Sequence, residues 1–148
     1  MRKLIIFIFL ILCVSVVNAQ NIYLGKNRYQ SDIICNIYKG YIYKGSTQYQ
    51  SNIIAYFDGK YLYKGNSKYP SNIIATWSNN KIYSGRSTSE FDLVATYHSG
   101  TLYYKNSNNA IFKYSNNKVY EGKFTYDSYI LINTSGYVNP MIIYYILN

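Results

Sequence analysis

The sequence predicts an all-β domain built from about six tandem β-hairpin repeats of 17–20 residues each. Two observations lead to this prediction. An apolar residue followed by Tyr recurs six times, with four steps of 20 residues and one of 17, and Tyr accounts for 21 of the 148 residues while only two are Pro. Because a single hairpin cannot bury its apolar face, the repeats must stack or close on one another. We expect a pseudosymmetric shallow barrel, and an open β-hairpin solenoid is the alternative.

Each repeat contains two strand signals separated by a polar loop. In the second copy the first strand is "YIYKG", the loop is "STQYQS" and the second strand is "NIIAYF". The recurring Gly after the first strand suggests a positive φ or a bulge. Tight-turn residues then lead into the next repeat: Lys39-Gly40, Asp58-Gly59, Asn79-Asn80, Ser99-Gly100 and Asn116-Asn117. Asn and Gly tolerate the left-handed backbone that two-residue hairpin turns require, and about six such hairpins predict about 12 antiparallel strands.

Side-chain alternation predicts which face of each strand lies inside. In the second strand, Ile53, Ala55 and Phe57 are expected to share an inward face, opposite Ile54 and Tyr56. If the apolar residue before each recurrent Tyr also points inward, the tyrosines form an exposed outward row. The members of this candidate aromatic row are Tyr43, Tyr63, Tyr83, Tyr103 and Tyr120.

The N-terminus has the pattern of a secretory signal peptide. Arg2 and Lys3 precede an apolar run, and a small-residue cleavage site ends at Ala19. We therefore expect residues 1–19 to be removed near Ala19-Gln20, residues 20–148 to form a single domain, and the protein to be exported. Cys35 is then the only remaining cysteine, so no intramolecular disulfide is expected, and its alignment with alanines predicts a packing role.

The apolar segment 141–148, "MIIYYILN", follows Pro140. A continuous apolar run of this length favours a final strand that is buried on both faces. The alternative is a segment that plugs the barrel or meets a membrane. A degenerate seventh repeat at Tyr137-Val138 would precede it.

The sequence predicts no enzymatic activity and no metal or cofactor site. The only histidine, His98, occupies a turn position, and a single His cannot form a His-based zinc site. No Ser/His/acid or Cys/His arrangement is indicated, since His98 would have to serve in any catalytic triad. Glu90 and Asp92 are close in sequence, but Asp92 aligns with Asn52 and Asn72, which indicates a turn role.

Tandem units of the form x-I-Y-x-G-x-S-x-Y-x-S-N-I-I-A-x, after an export signal, resemble those of the bacterial β-flower proteins. The resemblance covers residues 22–100 well and 101–136 loosely. It implies short hairpins arranged around an axis as a shallow barrel, somewhat like Tubby-type barrels, and brings no catalytic signature. MORN repeats and choline-binding hairpin repeats are weaker resemblances.

Charge and aromatic content suggest the binding partner. Without Arg2 and Lys3 the chain has 13 basic and 6 acidic residues, hence a net charge of +7, which favours anionic partners. Loops from several repeats would gather basic and aromatic side chains at one end. The candidate residues are Lys26, Arg28, Tyr29, Tyr49, Lys68, Tyr69 and Arg86. We expect a module that binds an anionic lipid or envelope surface; binding of glycans by the tyrosine row and structural self-association are the alternatives, and nucleic acid is not expected.

Overall fold

Twelve antiparallel strands close into a barrel in the computed structural model, which describes residues 19–148. The strands are β1 Gln20–Leu24, β2 Ile33–Tyr38, β3 Tyr41–Lys44, β4 Ile53–Phe57, β5 Tyr61–Lys64, β6 Ile73–Ser78, β7 Lys81–Ser84, β8 Leu93–His98, β9 Thr101–Tyr104, β10 Ala110–Ser115, β11 Lys118–Glu121 and β12 Ile130–Thr134. A helix, α1, spans Pro140–Leu147. The predicted all-β barrel of hairpin repeats is confirmed.

The barrel closes where β1 pairs with β12. Ile22 lies opposite Thr134, and Leu24 lies opposite Ile132. Every described strand therefore has a hydrogen-bonded neighbour on both sides, and none of them leaves an open edge for pairing with another chain. The alternative of an open solenoid is wrong.

The connections between strands divide into two sets at opposite ends of the barrel. At the short-turn end, the connections are residues 39–40, 58–60, 79–80, 99–100 and 116–117. At the long-loop end, they are residues 25–32, 45–52, 65–72, 85–92, 105–109 and 122–129. Five of these six long loops include a single 3-10 turn: Gln30–Asp32, Gln50–Asn52, Pro70–Asn72, Glu90–Asp92 and Asp127–Tyr129. This separation follows from the up-and-down order of antiparallel neighbours.

Four of the five predicted two-residue turns are present, and each has two residues with positive φ. Asn79 and Asn80, for example, have φ values of 50° and 58°. The turn after β4 differs, because it contains three residues. The Asp58 carboxylate accepts hydrogen bonds from the backbone N–H groups of Lys60 and Tyr61 at 2.8 and 2.7 Å, and these bonds fix the longer turn.

A register shift in each repeat changes the predicted faces of the second strand. Tyr43 lies opposite Ile53, whereas the preceding residue Ile42 lies opposite Ala55, so Ile54 is an extra residue in the ladder. Such a bulge places Ile53 on the outer face with Tyr43, while Ile54 packs against the core beside Ala55. The predicted inward stripe is correct for Ala55 but wrong for Ile53, because strict alternation fails at a bulge.

Two rings of inward side chains form the core. The first ring comes from the first strand of each repeat and is almost fully buried: Ile22, Ile42, Leu62, Ile82, Leu102 and Val119. The second ring comes from the opposing positions: Cys35, Ala55, Ala75, Ala95, Phe112 and Ile132. Four of these six positions are small, which leaves space around the barrel axis for another element.

Helix α1 fills that space. Met141, Ile142 and Ile143 are buried and belong to the same core cluster as the two rings. The prediction of a final β-strand over 141–148 is wrong, as is the predicted seventh repeat at Tyr137-Val138. Local signals set the helix start, since the Asn139 side chain caps the backbone N–H of Met141 at 2.9 Å and Pro140 occupies the first turn.

At about 1.5 Å per residue the eight-residue helix is about 12 Å long, close to the length of a four-residue strand. Of the helices in residues 19–148, none has the length and apolar character needed to cross a membrane. The predicted signal peptide lies outside the described residues except for Ala19, and its removal stays a prediction.

Candidate functional site

The long-loop end has a recurrent exposed tyrosine. Tyr29, Tyr49 and Tyr69 each precede a 3-10 turn in extended backbone, with exposed fractions of 66%, 69% and 73%. Ser89 holds the same position in the fourth repeat and accepts a hydrogen bond from the Phe91 backbone N–H at 3.4 Å. Because the turns repeat with nearly the same geometry around the barrel, the tyrosines are arranged as part of a ring.

Other exposed aromatic and large apolar side chains lie at the same end. Among residues 19–148, the exposed members of this class at the long-loop end are Leu24, Tyr29, Tyr49, Tyr69, Phe91, Tyr104, Phe124, Tyr126 and Tyr129. Only Tyr137, among the described residues, lies elsewhere. The two ends of the barrel therefore differ strongly in apolar exposure.

The candidate basic residues of the loops are not equivalent. Lys26, Arg28 and Arg86 are exposed and form no ion pair with any residue of 19–148. Lys68 instead folds over the outer wall, where its ammonium lies 4.0 Å from the ring centre of Tyr56 and 5.3 Å from that of Tyr41. These contacts, Tyr56 first, raise the pKa of Lys68.

Two loop acids are paired with lysines of the barrel wall. Glu90 accepts a hydrogen bond from Lys81 at 2.8 Å, and this contact, followed by that of Asn106, lowers the pKa of Glu90. Asp127 lies 3.7 Å from Lys118. Each pair offsets one negative charge of the long loops locally.

The predicted exposed tyrosine row is wrong. Tyr43, Tyr63, Tyr83 and Tyr120 lie on the outer face of the barrel, but only 6–8% of each side chain is exposed. The long loops fold back over this face: Gln48 donates to the Asn36 side chain at 3.0 Å, and Lys68 and Glu90 make the wall contacts given above. Sequence alternation assigns the face correctly but cannot show that a loop covers it.

Tyr103 is the exception in the row, because it remains partly exposed. The loop that follows it, 105–109, is shorter than the others and has no 3-10 turn. Tyr103 lines a cavity of about 410 Å³ together with Thr96, His98 and Asn106. The hydroxyl of Thr96 is buried with no hydrogen-bond partner in the described chain, whereas the corresponding Thr76 donates to the carbonyl of Gly85 at 2.7 Å.

A second cavity, which sequence reasoning missed, opens at the long-loop end between α1 and strands β5–β8. It has a volume of about 500 Å³ and includes Ala75 and Val94 in its wall, Met141 from the helix, and Lys64 and Ser84 near its mouth. The sequence does contain one signal for this cavity, the small residue Ala75 in the second ring. The cavity also requires the helix, which the sequence pattern did not predict.

Chemically reactive groups are few in residues 19–148. The Cys35 thiol is buried, and burial raises its pKa to about 11, so the thiolate is scarce at neutral pH. No group of three or more His, Cys, Asp and Glu in this part of the chain could hold a metal ion.

These features define a small, closed, antiparallel barrel of six hairpin repeats with an internal helix. The family model described as "6-fold beta flower protein" matches residues 22–144, and the chain belongs to this family. Neither a curated protein nor a solved structure matches the chain.

Proposed function

We propose that this protein is a non-catalytic, exported module that binds an anionic lipid surface through its long-loop end. The observation that carries the proposal is the concentration of exposed aromatic side chains at this end, next to basic residues such as Arg28 and Arg86. Tyrosine favours the boundary between lipid head groups and acyl chains, and each nearby Lys or Arg contributes about 1 kcal/mol at an anionic surface.

Export rests on the pattern of the N-terminal sequence. A lone buried cysteine is compatible with an oxidising compartment, since Cys35 has no partner in the described chain and its thiol is little ionised. Expression of the full sequence followed by N-terminal sequencing tests this part of the proposal. A mature chain that begins at Gln20 supports export, and an intact Met1 with retention in the cytoplasm contradicts it.

Vesicle flotation tests the lipid surface. The purified domain is mixed with vesicles of phosphatidylcholine alone, or with an equal part of phosphatidylglycerol, at low and at high ionic strength. We expect flotation with the anionic vesicles at low salt and a clear loss at high salt, because salt screens exposed charges. Equal flotation with both vesicle types would contradict an electrostatic contribution.

Matched charge variants locate the surface on the molecule. Arg28→Glu with Arg86→Glu changes the long-loop end, and Lys39→Glu with Lys60→Glu makes the same charge change at the short-turn end. Loss of two favourable contacts of about 1 kcal/mol each predicts at least about a 30-fold fall in vesicle affinity for the first pair. The second pair should bind nearly as the parent protein does. Similar losses in both pairs would show that net charge alone determines binding.

The aromatic contribution is tested with tyrosine-to-serine changes at Tyr29, Tyr49 and Tyr69. Ser89 shows that serine is compatible with this position and its 3-10 turn. The triple variant should therefore fold normally and bind anionic vesicles more weakly, with a greater relative loss at high salt, where apolar contacts dominate. Unchanged binding would show that these tyrosines are not part of the lipid-binding surface.

Glycan binding is the second candidate function, and the cavity at Tyr103 favours it. A partly exposed aromatic ring beside polar groups such as Thr96 and Asn106 suits the stacking and hydrogen bonding of a sugar ring. A glycan array at high salt tests it. Tyr103→Ala should abolish a positive signal, whereas Tyr104→Ala, an exposed neighbour outside this cavity, should leave it unchanged.

A further inference from the structure

The cavity at the long-loop end lies on one side of the barrel interior, next to Ala75. In the second ring, Ala55 and Ala95 are fully buried, but Ala75 between them is partly exposed. In the fifth repeat the same position is the fully buried Phe112. The cavity therefore occupies the space above Ala75 that a large side chain would fill.

The cavity has an apolar interior and a polar mouth. Leu62, Ile74, Ala75 and Val94 contribute its wall, together with Met141 from α1. The polar side chains among the lining residues are few: Lys64, Ser84 and Asn148, with the tyrosines Tyr83, Tyr144 and Tyr145. An apolar pocket with a few convergent polar groups is the usual form of a small-molecule site.

The charges near the opening limit the head group of a ligand. Lys64 makes no ion pair with any residue in 19–148, so its ammonium is available to an anion. The C-terminal end of α1 lies at the same opening, and a helix end of this kind has a partial negative charge of about half an elementary charge. A single negative charge on the ligand therefore fits this opening better than a dianion.

The volume limits the apolar part of the ligand. At about 30 Å³ for each group of the size of a water molecule, a cavity of about 500 Å³ holds about 17 heavy atoms. Because the cavity is open at its mouth, part of this volume belongs to the head group and solvent. A single aliphatic chain of about ten carbons matches the remainder.

From this geometry we propose that the cavity between α1 and strands β5–β8 binds a single-chain, monoanionic amphiphile. The aliphatic chain lies over Ala75 against Met141, and the head group meets Lys64 and Ser84 at the mouth. A free fatty acid and a lysophospholipid share this chemistry. This site is separate from the exposed loops, so it does not depend on the proposed binding to a lipid surface.

Calorimetric titration without vesicles tests the site. The probes are decanoate, decanol and decyltrimethylammonium, which share one chain length and differ in head-group charge. Each is used below the concentration at which it forms micelles. We expect decanoate to bind most tightly with one molecule per protein, decanol more weakly, and the cationic probe weakest. A lysophosphatidylglycerol with a chain of similar length distinguishes a lipid-derived ligand from a free fatty acid.

Variants test the two halves of the site separately. Lys64→Met keeps the aliphatic stem and should weaken decanoate about tenfold, the effect of losing one charge-assisted contact, while the affinity for decanol is unchanged. Lys44→Met is the matched control, because Lys44 occupies the equivalent position in the neighbouring repeat but does not line the cavity.

Ala75→Phe fills the cavity with the side chain that the fifth repeat already has at this position, and should abolish binding of all three probes. If this variant fails to fold, Val94→Phe adds bulk from the adjacent strand β8. Decanoate binding that survives in a folded cavity-filling variant would overturn the proposal, as would equal affinity for decanoate and decyltrimethylammonium. If vesicle flotation is absent but decanoate binding is intact, the proposed lipid-surface function is contradicted and the proposed cavity site is not.

Discussion

The Tyr114 hydroxyl accepts a hydrogen bond from the backbone N–H of Val138 at 3.0 Å, where the chain leaves the last strand and enters the helix. The same hydroxyl lies 3.1 Å from the Thr134 hydroxyl and donates to the carbonyl of Gly136 at 3.2 Å. One buried tyrosine of β10 therefore fixes the segment that turns α1 into the barrel. Gln20 of β1 adds a second polar contact to this segment, because its side-chain amide donates to the carbonyl of Tyr137 at 2.8 Å.

Tyr114→Phe should destabilise the protein by about 1–3 kcal/mol, because Val138 is buried and its N–H group would lose its partner. Urea unfolding measures the change, and hydrogen exchange should show faster exchange at the Val138 amide. Tyr120→Phe is the matched control, since Tyr120 is also buried but its hydroxyl has no hydrogen bond to residues 19–148. Equal stability losses in the two variants would show that the hydrogen bonds of Tyr114 are not the cause.

Gly40→Ala should be more damaging than Gly45→Ala. Both glycines have positive φ, 81° and 74°, so both substitutions carry a backbone cost of about 1–2 kcal/mol. At Gly40 the added Cβ would also lie 2.6 Å from the Phe57 carbonyl oxygen and 2.9 Å from the Tyr56 ring, whereas at Gly45 no atom lies within 4 Å. Urea unfolding of the two variants measures the difference, and similar losses would indicate that the turn shifts to accommodate the methyl group.

The sequence predicts the parts of the fold that depend on neighbouring residues. Turns such as Asn79-Asn80 and the recurrent positive-φ glycines are local, and they repeat, so six hairpins and their closure into a barrel were predictable. The bulge at Ile54 was not, because the register of two strands is a property of the pair. The burial of the tyrosine row under the long loops depends on contacts such as that of Gln48 with Asn36, and side-chain alternation in the sequence does not predict such contacts.

The helix was missed for a different reason. A short continuous apolar run fits a buried strand and a buried helix equally well, and "MIIYYILN" has no polar residue before Asn148 to reveal its period. Its cap, Asn139 followed by Pro140, is the signal that distinguishes the two. The cavity above Ala75 was missed with the helix, because Met141 forms one of its walls.

Alanine substitutions along α1 should show the burial pattern of a helix inside the barrel. Ile143 is fully buried, so Ile143→Ala should cost about 2–5 kcal/mol, the range for large-to-small changes in a core. Ile146→Ala, one turn further toward the long-loop end, removes the same atoms from a partly buried site and should cost clearly less. A strand buried on both faces would give similar losses at the two positions, and urea unfolding distinguishes these outcomes.

Cys35 should make stability depend on alkaline pH. Burial raises the pKa of its thiol from an ordinary value of 9.0 to about 11 in the folded protein. Below pH 9 the thiol is protonated in both states, so its contribution to the free energy of unfolding is full and constant. Between pH 9 and 11 the unfolded chain loses this proton first, and the contribution falls as pH rises.

Cys35→Ala isolates this effect, because three other repeats have Ala in the same ring position, at Ala55, Ala75 and Ala95. The variant should fold, with a loss of about 1 kcal/mol below pH 9 for the missing sulfur atom. All other ionisable groups are the same in the two proteins, so the difference in unfolding free energy between them reports on the thiol. Urea unfolding from pH 9 to 11 should show that the extra stability of the parent protein decreases steadily. In the parent alone, the unfolded state is stabilised by ionising a thiol that the folded state keeps protonated. A constant difference across this range would mean that the Cys35 thiol has nearly the same pKa in the folded and unfolded chains.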